Sequence, residues 1–277
     1  MSLPKIPLAG VIGSPISHSK SPQLHGHWLK TYGIAGHYIP MDVTSQDLEA
    51  VIRMLPRMGF VGVNITIPHK EAVLSIADLV TDRAILIGAA NTLIFRKDGK
   101  IHADNTDGYG FIENLKTGAP HWNPKSGPAA VLGAGGAARA VIASLLDAGV
   151  PEILLSNRTR VRSDQLKSDF GSRLRVYDWV QAGNMLEHAN LVVNTTSLGM
   201  IGKGEMRVPL DGLRPDAVVT DLVYTPLKTR LLETAEQIGC VTVDGLGMLL
   251  HQAVPGFERW FGKRPEVDRA TRAAALR

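Results

Sequence analysis

The chain of 277 residues is 44% hydrophobic and 20% charged, with a formal net charge of +4. This is ordinary globular composition, long enough for roughly two domains. No apolar run approaches the ~18 residues that cross a membrane, the scattered lysines and arginines form no nucleic-acid-binding tract, and Cys240, the only cysteine, excludes an internal disulfide and a cysteine-cluster metal site.

Met1-Ser-Leu-Pro-Lys5 lacks the apolar core of a secretory signal, so a cytoplasmic, reducing location is expected. The small positive excess suits anionic ligands such as phosphates and carboxylates, and is equally compatible with neutral drift of the surface. Leu8-Ala-Gly-Val-Ile12 reads as a first strand running into a hydroxyl-dense turn, Gly13 to Pro22. Ser21 before Pro22 predicts a capped helix start, with Leu24, Trp28 and Leu29 turned to a core and an end near Gly33. His37 to Pro40 is a short strand, and Thr44 with Asp47 is spaced like a capping box ahead of the stripe Leu48, Val51, Ile52 and Leu55.

Gly62 to Pro68 reads as a strand that leads into His69-Lys70 and another helix. On it, Asn64 and Thr66 alternate with Val63, Ile65 and Ile67, which puts both polar residues on one side. Asn91 to Phe95 and Ile101 to Ala103, around the turn at Lys97 to Lys100, predict a hairpin. Strands and helices alternate through this half, so an open α/β sheet is expected.

Glycines and prolines between Thr117 and Pro128 punctuate the approach to a second domain. There Ala129 to Leu132 reads as a strand, Gly133-Ala134-Gly135-Gly136-Ala137-Ala138 as a turn, Arg139 to Asp147 as a helix, and Glu152 to Ser156 as the next strand. That is the frame of a dinucleotide-binding unit: Gly133 for the sharp turn, Gly135 for close approach of a pyrophosphate, Ala138 for tight helix packing. An NAD site usually carries an acid at the tip of the second strand, to bind the ribose 2′-hydroxyl. Here the tip is Ser156-Asn157-Arg158-Thr159, with Arg160 and Arg162 close by, and guanidinium groups attract the 2′-phosphate that a carboxylate would repel. NADP(H) is therefore expected. Leu191 to Asn194, Ala217 to Thr220 and Val241 to Val243 continue the strand series, while a helix near Met248 and the segment Pro255 to Arg277 come too late to extend it and are expected to return to the first domain. The division is 1–106 completed by 245–277, and 107–244.

Taken singly, the polar residues of the first half read blandly. Ser19 and Ser21 suit a helix cap, Asp104 and Asp107 a turn or cap, and Lys70 a solvated surface. His18, His25, His27 and His69 are too irregular for a metal site, so no metal is expected, and neither a nucleophile elbow nor a P-loop occurs.

In combination they are specific. Ser17-His-Ser-Lys-Ser-Pro22, Asn64-Ile-Thr-Ile-Pro-His-Lys70 and Asp104-Asn-Thr-Asp-Gly108 precede the glycine turn. Asn157-Arg-Thr159, Asn194-Thr-Thr-Ser-Leu-Gly-Met200, Asp221-Leu-Val-Tyr-Thr-Pro226 and Asp244-Gly-Leu-Gly-Met-Leu-Leu-His-Gln252 follow it. This set resembles the shikimate dehydrogenase family from about Gly10 to Phe261. The resemblance implies an α/β substrate domain for shikimate that also takes up the C-terminal helices, a Rossmann-type NADP domain, and reversible reduction of 3-dehydroshikimate to shikimate. It implies Ser19 and Ser21, with Tyr224 assisting, for the substrate carboxylate, and Asn64, Thr66, Asn91, Asp107 and Gln252 for ring hydroxyls. Lys70 and Asp107 become the proton-transfer pair. Gly133, Ala134, Gly135, Gly136, Ala137, Asn157, Arg158, Thr159, Arg162, Thr195, Gly245 and Met248 fall to the cofactor, although Met248, like Met200, also reads as core. A monomer or homodimer with small-molecule ligands is expected, with neither nucleic acid nor membrane as partner. The rivals are a quinate/shikimate dehydrogenase of broader specificity, a non-catalytic NADP-sensing protein, which should lack the Lys70–Asp107 pair, and a methylenetetrahydrofolate dehydrogenase, against which the serine-rich first turn speaks.

Overall fold

The computed structural model describes residues 6–276. The Met1 to Lys5 segment weighed above as a leader, and Arg277, lie outside the described residues. The chain forms two compact units, one running to Thr106 and resuming at Leu250, the other spanning Asp107–Leu249.

The first unit is built on a six-stranded sheet. Its strands are β1 (Leu8–Gly13), β2 (His37–Asp42), β3 (Phe60–Ile65), β4 (Leu79–Val80), β5 (Thr92–Phe95) and β6 (Ile101–Asp104), in the order β2-β1-β3-β5-β6-β4. β1 lies parallel to β2 and β3, because the helices Ser21–Thr31 and Leu48–Met54 supply the crossovers that parallel pairing needs. β5 runs antiparallel to both β3 and β6, and the Arg96 amide closes the expected hairpin on Lys100 O at 3.0 Å. Ile12, Ile52, Val63, Ile65, Val73 and Leu93 form the centre of the core.

Four local expectations are corrected. Ser21 is the first residue of its helix, not the cap; Lys20 occupies that place, and Ser19 Oγ accepts the Ser21 amide at 3.3 Å. Thr44 Oγ1 donates to Asp47 Oδ2 at 2.8 Å, so the two side chains satisfy each other and not the helix amides. β3 ends at Ile65, and Ile67, 75% exposed, falls outside its alternation. Beyond Pro68 the chain makes only a 3₁₀ turn at Ala72–Ser75, because His69 is held inward with Nε2 2.7 Å from Val43 O.

The helix Leu246–Phe261 carries the chain into the first unit at Leu250. There Trp260 donates from Nε1 to Leu93 O at 3.1 Å, and a side chain on Gly62 of β3 would collide with its indole. Arg259 reaches Asp104 Oδ2 at 2.9 Å.

The second unit holds β7 (Ala129–Leu132), β8 (Ile153–Ser156), β9 (Leu174–Tyr177), β10 (Leu191–Asn194), β11 (Val218–Asp221) and β12 (Val241–Val243). All are parallel, in the order β12-β11-β10-β7-β8-β9, the doubly wound arrangement that reverses between β7 and β10. Both faces are covered: Ala129, Val131, Ile153 and Leu155 enter one core, Ala130, Leu132 and Leu154 the other. Such strands read as continuous apolar runs, which made β7, β8 and β10 legible. β9 escaped because it is an edge strand, with an exposed Arg175 and only Leu174 fully buried.

Candidate active site

In doubly wound sheets ligands bind at the carboxyl ends of the strands where the order reverses. Gly133 stands there, after β7. Its amide donates to Ser156 O at 2.8 Å, its φ is +108°, and a Cβ would sit 2.6 Å from Thr195 Oγ1. Neither the backbone nor the space admits a side chain. Gly135, Gly136 and Ala137 follow, all exposed, and a Cβ on either glycine would meet nothing within 4 Å. They open the helix Gly136–Ala148, whose first amides lack intrahelical partners and so form an anion site on open ground.

The neighbours brace that turn. The Ala134 amide donates to Asn157 Oδ1 at 3.3 Å, and Asn157 Nδ2 donates to Thr159 O at 2.9 Å. Thr195 Oγ1 donates to Leu132 O at 2.8 Å, fastening the end of β10 to β7. Gly245 lets its segment lie against the Leu222 carbonyl, where a side chain would clash. Met248 packs, partly buried, against the core of this unit, and Met200 is exposed.

No carboxylate follows β8. Arg160 does not join the other arginines, as its place in the sequence suggested: it is taken by Asp164 at 3.1 Å and Asp178 at 2.6 Å. Arg158 and Arg162 are exposed, and among the described residues neither side chain enters an ion pair. Open amides, two available guanidinium groups and no acid fit a dinucleotide that carries a 2′-phosphate.

Polar groups of the first unit converge at Asn91, which is buried just before β5. Its Oδ1 accepts from Thr92 Oγ1 at 3.0 Å and from Thr106 at both the amide, 2.9 Å, and Oγ1, 3.0 Å. Its Nδ2 donates to Gln252 Oε1 at 3.3 Å, and Thr106 Oγ1 also lies 2.9 Å from Gln252 O. Asn64, half-buried at the end of β3, donates from Nδ2 to Asn91 O at 3.1 Å and Thr92 Oγ1 at 3.3 Å. Lys70 is half-buried, and its carbonyl accepts the Ala90 amide at 2.8 Å, so its backbone lies beside Asn91. Thr66 is tied through its amide to Ile12 O at 2.9 Å. Asp107, 7% exposed, follows Thr106 directly and heads the helix Asp107–Gly118.

Asn64, Thr66, Lys70, Asn91 and Gln252 thus share one unit with Ser19 and Ser21, whereas Asp107 and Tyr224 belong to the other. Burial pushes the Tyr224 phenol up. Asp104 serves structure: it is fully buried, with Arg83 at 2.7 Å and Arg259 at 2.9 Å. Sequence reasoning missed Thr92 and Thr106, which complete the Asn91 network. Their only signal was adjacency to Asn91 and Asp107. Among the described residues no group of three or more His, Cys, Asp or Glu could hold a metal ion, and no helix is long and apolar enough to cross a membrane.

A doubly wound unit with a phosphate-ready glycine turn, and a second unit that gathers amides, hydroxyls and a lysine at its strand ends, define a dinucleotide-linked oxidoreductase. Comparison with known proteins narrows the class. Residues 11–93 match the family model of the shikimate dehydrogenase substrate binding domain, 120–210 that of shikimate/quinate 5-dehydrogenase, and 245–275 that of the shikimate 5′-dehydrogenase C-terminal domain. The chain is 72% identical over 276 residues to shikimate dehydrogenase (NADP(+)) of Roseobacter denitrificans, covering all of both chains. Among solved structures it resembles Thermus thermophilus shikimate 5-dehydrogenase in complex with NADP(H) and shikimate, at 37% identity and a TM-score of 0.86, with 98% of each chain covered. It also resembles Corynebacterium glutamicum quinate dehydrogenase in complex with NAD, at 32% identity and a TM-score of 0.90, covering 98% of this chain and 99% of that one. The chain belongs to the NADP(+)-dependent shikimate dehydrogenase family.

Proposed function

We propose that this chain catalyses the reversible NADPH-dependent reduction of 3-dehydroshikimate to shikimate, with the unit Asp107–Leu249 taking the cofactor and the other unit the substrate. The observation that carries the reading is the Asn91 network, which gathers Asn64, Thr106 and Gln252 by side chain and Lys70 by backbone. A small polyhydroxylated acid needs that many polar partners when it leaves water.

Bound NADPH supplies a hydride to the ketone carbon. The Lys70 ammonium stabilises the negative charge that builds on the ketone oxygen and gives it a proton, and in the oxidative direction the neutral amine takes that proton back. Asp107 partners Lys70 in this transfer. Ser19 and Ser21, assisted by Tyr224, hold the carboxylate; Asn64, Thr66, Asn91, Asp107 and Gln252 hold the ring hydroxyls. Gly133 to Ala137 and Thr195 receive the pyrophosphate end, Asn157, Arg158, Thr159 and Arg162 the 2′-phosphorylated adenosine, and Gly245 with Met248 the nicotinamide end. A cytoplasmic location and a monomeric or homodimeric state belong to the same reading.

Initial rates of NADP and NAD reduction, each with shikimate and with quinate, test it. Rapid turnover of the shikimate–NADP combination alone is expected. Comparable rates with quinate would make this a broader-specificity enzyme, and no turnover with either acid would leave a cofactor-binding protein without this chemistry.

A further inference from the structure

Tyr38 belongs to none of the segments that carry the family resemblance. It sits on β2 in register with Ala9 of β1, 8% exposed. Its ring stacks flat on His25, with centroids 3.9 Å apart and 3° between the planes. Trp28, Phe257 and Trp260 also pack against His25, and among the described residues neither imidazole nitrogen finds a hydrogen-bond partner. Burial pushes the His25 pKa down to about 3, so it is a neutral packing surface near pH 7. A ring clamped in close packing gives its hydroxyl one position.

That hydroxyl touches Asn64, assigned above to the substrate. It donates to Asn64 Oδ1 at 2.7 Å. Asn64 is then held at both ends of its carboxamide. Its two amide protons go to Asn91 O and Thr92 Oγ1, and Tyr38 occupies one lone pair of Oδ1. What remains to a ligand is the other lone pair.

We propose that Tyr38 is a positioning residue for the substrate: its hydroxyl locks the Asn64 carboxamide so that Oδ1 accepts from a ring hydroxyl of the acid. The inference rests on the assignment of Asn64 to the substrate made above. Without the phenolic proton Oδ1 loses its fixed partner, only the two donor contacts still orient the carboxamide, and selectivity for that hydroxyl is weakened.

Steady-state kinetics of wild type, Tyr38→Phe, His25→Phe and Asn64→Ala with shikimate and its 4-deoxy and 5-deoxy analogues test this. Tyr38→Phe should raise the shikimate KM about tenfold, with kcat within about twofold and the NADP KM unchanged. With one of the deoxy analogues the penalty should vanish, since the hydroxyl read by Asn64 is already missing. His25→Phe keeps an aromatic face against the phenol ring and leaves its hydroxyl, and should keep the wild-type KM. An unchanged KM in Tyr38→Phe, an equal penalty with all three substrates, or the same penalty in His25→Phe would overturn the proposal. If Asn64→Ala keeps the wild-type KM, the assignment of Asn64 itself has failed; if it is impaired while Tyr38→Phe is not, only the role of Tyr38 has. Should Tyr38→Phe not fold, Tyr38→Leu must show the same vanishing penalty.

Discussion

Lys70 shows how little a single residue says alone. A lysine two positions past a proline is ordinarily a surface group, yet this one is half-buried with its backbone against Ala90. If it carries the proton, Lys70→Ala should lower kcat by about 10²-fold or more while NADPH binding, read by fluorescence titration, stays intact. Near-normal turnover would remove it from the mechanism. Arg158 is the converse, a residue whose meaning was local from the start. It is exposed, without an acidic partner among the described residues, one position after Asn157 at a strand tip that lacks a carboxylate. Arg158→Asp should level or reverse the NADP preference, costing kcat/KM for NADP by about 30-fold, as expected for the loss of one charge-assisted phosphate contact. Equal kcat/KM for both cofactors in the unmodified protein would refute the selectivity itself.

At the scale of elements, Asp104 joins three of them. Its fully buried carboxylate ends β6 and accepts from Arg83 of the helix Asp82–Ile87, from Arg259 of the helix Leu246–Phe261, and from Thr81 at 2.9 Å. Burial pushes its pKa up, but the Arg83 contacts with Thr81 and Arg259 outweigh that, and the net shift is downward. Asp104→Asn leaves two guanidinium groups facing an uncharged amide. It should cost about 3 kcal/mol of stability in denaturant unfolding. A loss within the error of the method would show that the half-exposed arginines are served equally well by water. The motif Asp104-Asn-Thr-Asp107 therefore divides between two tasks. Its first residue fastens the returning helix, and Thr106 braces Asn91.

Two buried groups contribute to the acid response of the molecule. The Asp104 pKa is depressed in the folded chain, so its contribution is full above the ordinary carboxylate value and is lost as pH falls through the lower, folded value. His25 is also depressed, from 6.5 to about 3. The unfolded chain takes up a proton that the folded chain refuses, and stability is lost between those two values by up to about 1.4 kcal/mol per pH unit. His25→Phe should flatten that slope, so that its stability relative to wild type rises from pH 7 to pH 4. Parallel curves would show that His25 is hydrated or paired. Because the chain forms two compact units, a single transition is not assured. NADP at about 100 times its Kd should add some 2.7 kcal/mol to the unit that binds it, and calorimetry with NADP and with shikimate should shift different transitions if the ligands divide as proposed. Identical shifts with either ligand would contradict that division.

What the sequence determined by itself was whatever depends on near neighbours along the chain. The glycine turn needs Gly133 at φ +108° and a short strand before it, and the expectation of NADP draws only on the few residues after Ser156. The parallel strands of the second unit were legible because both faces are buried and their composition is continuous. Edge strands β4 and β9 were not, since they bury little, and neither was the pairing of Arg160 with Asp178, 18 residues further on. Only the tertiary structure decided which polar residues face one another. Asn64, Asn91 and Gln252 are separated by scores of residues, and a hydrogen bond of about 3 Å leaves no trace in their spacing. Tyr38 read only as part of the short strand His37 to Pro40, and its hydrogen bond to Asn64 exists only in the folded chain.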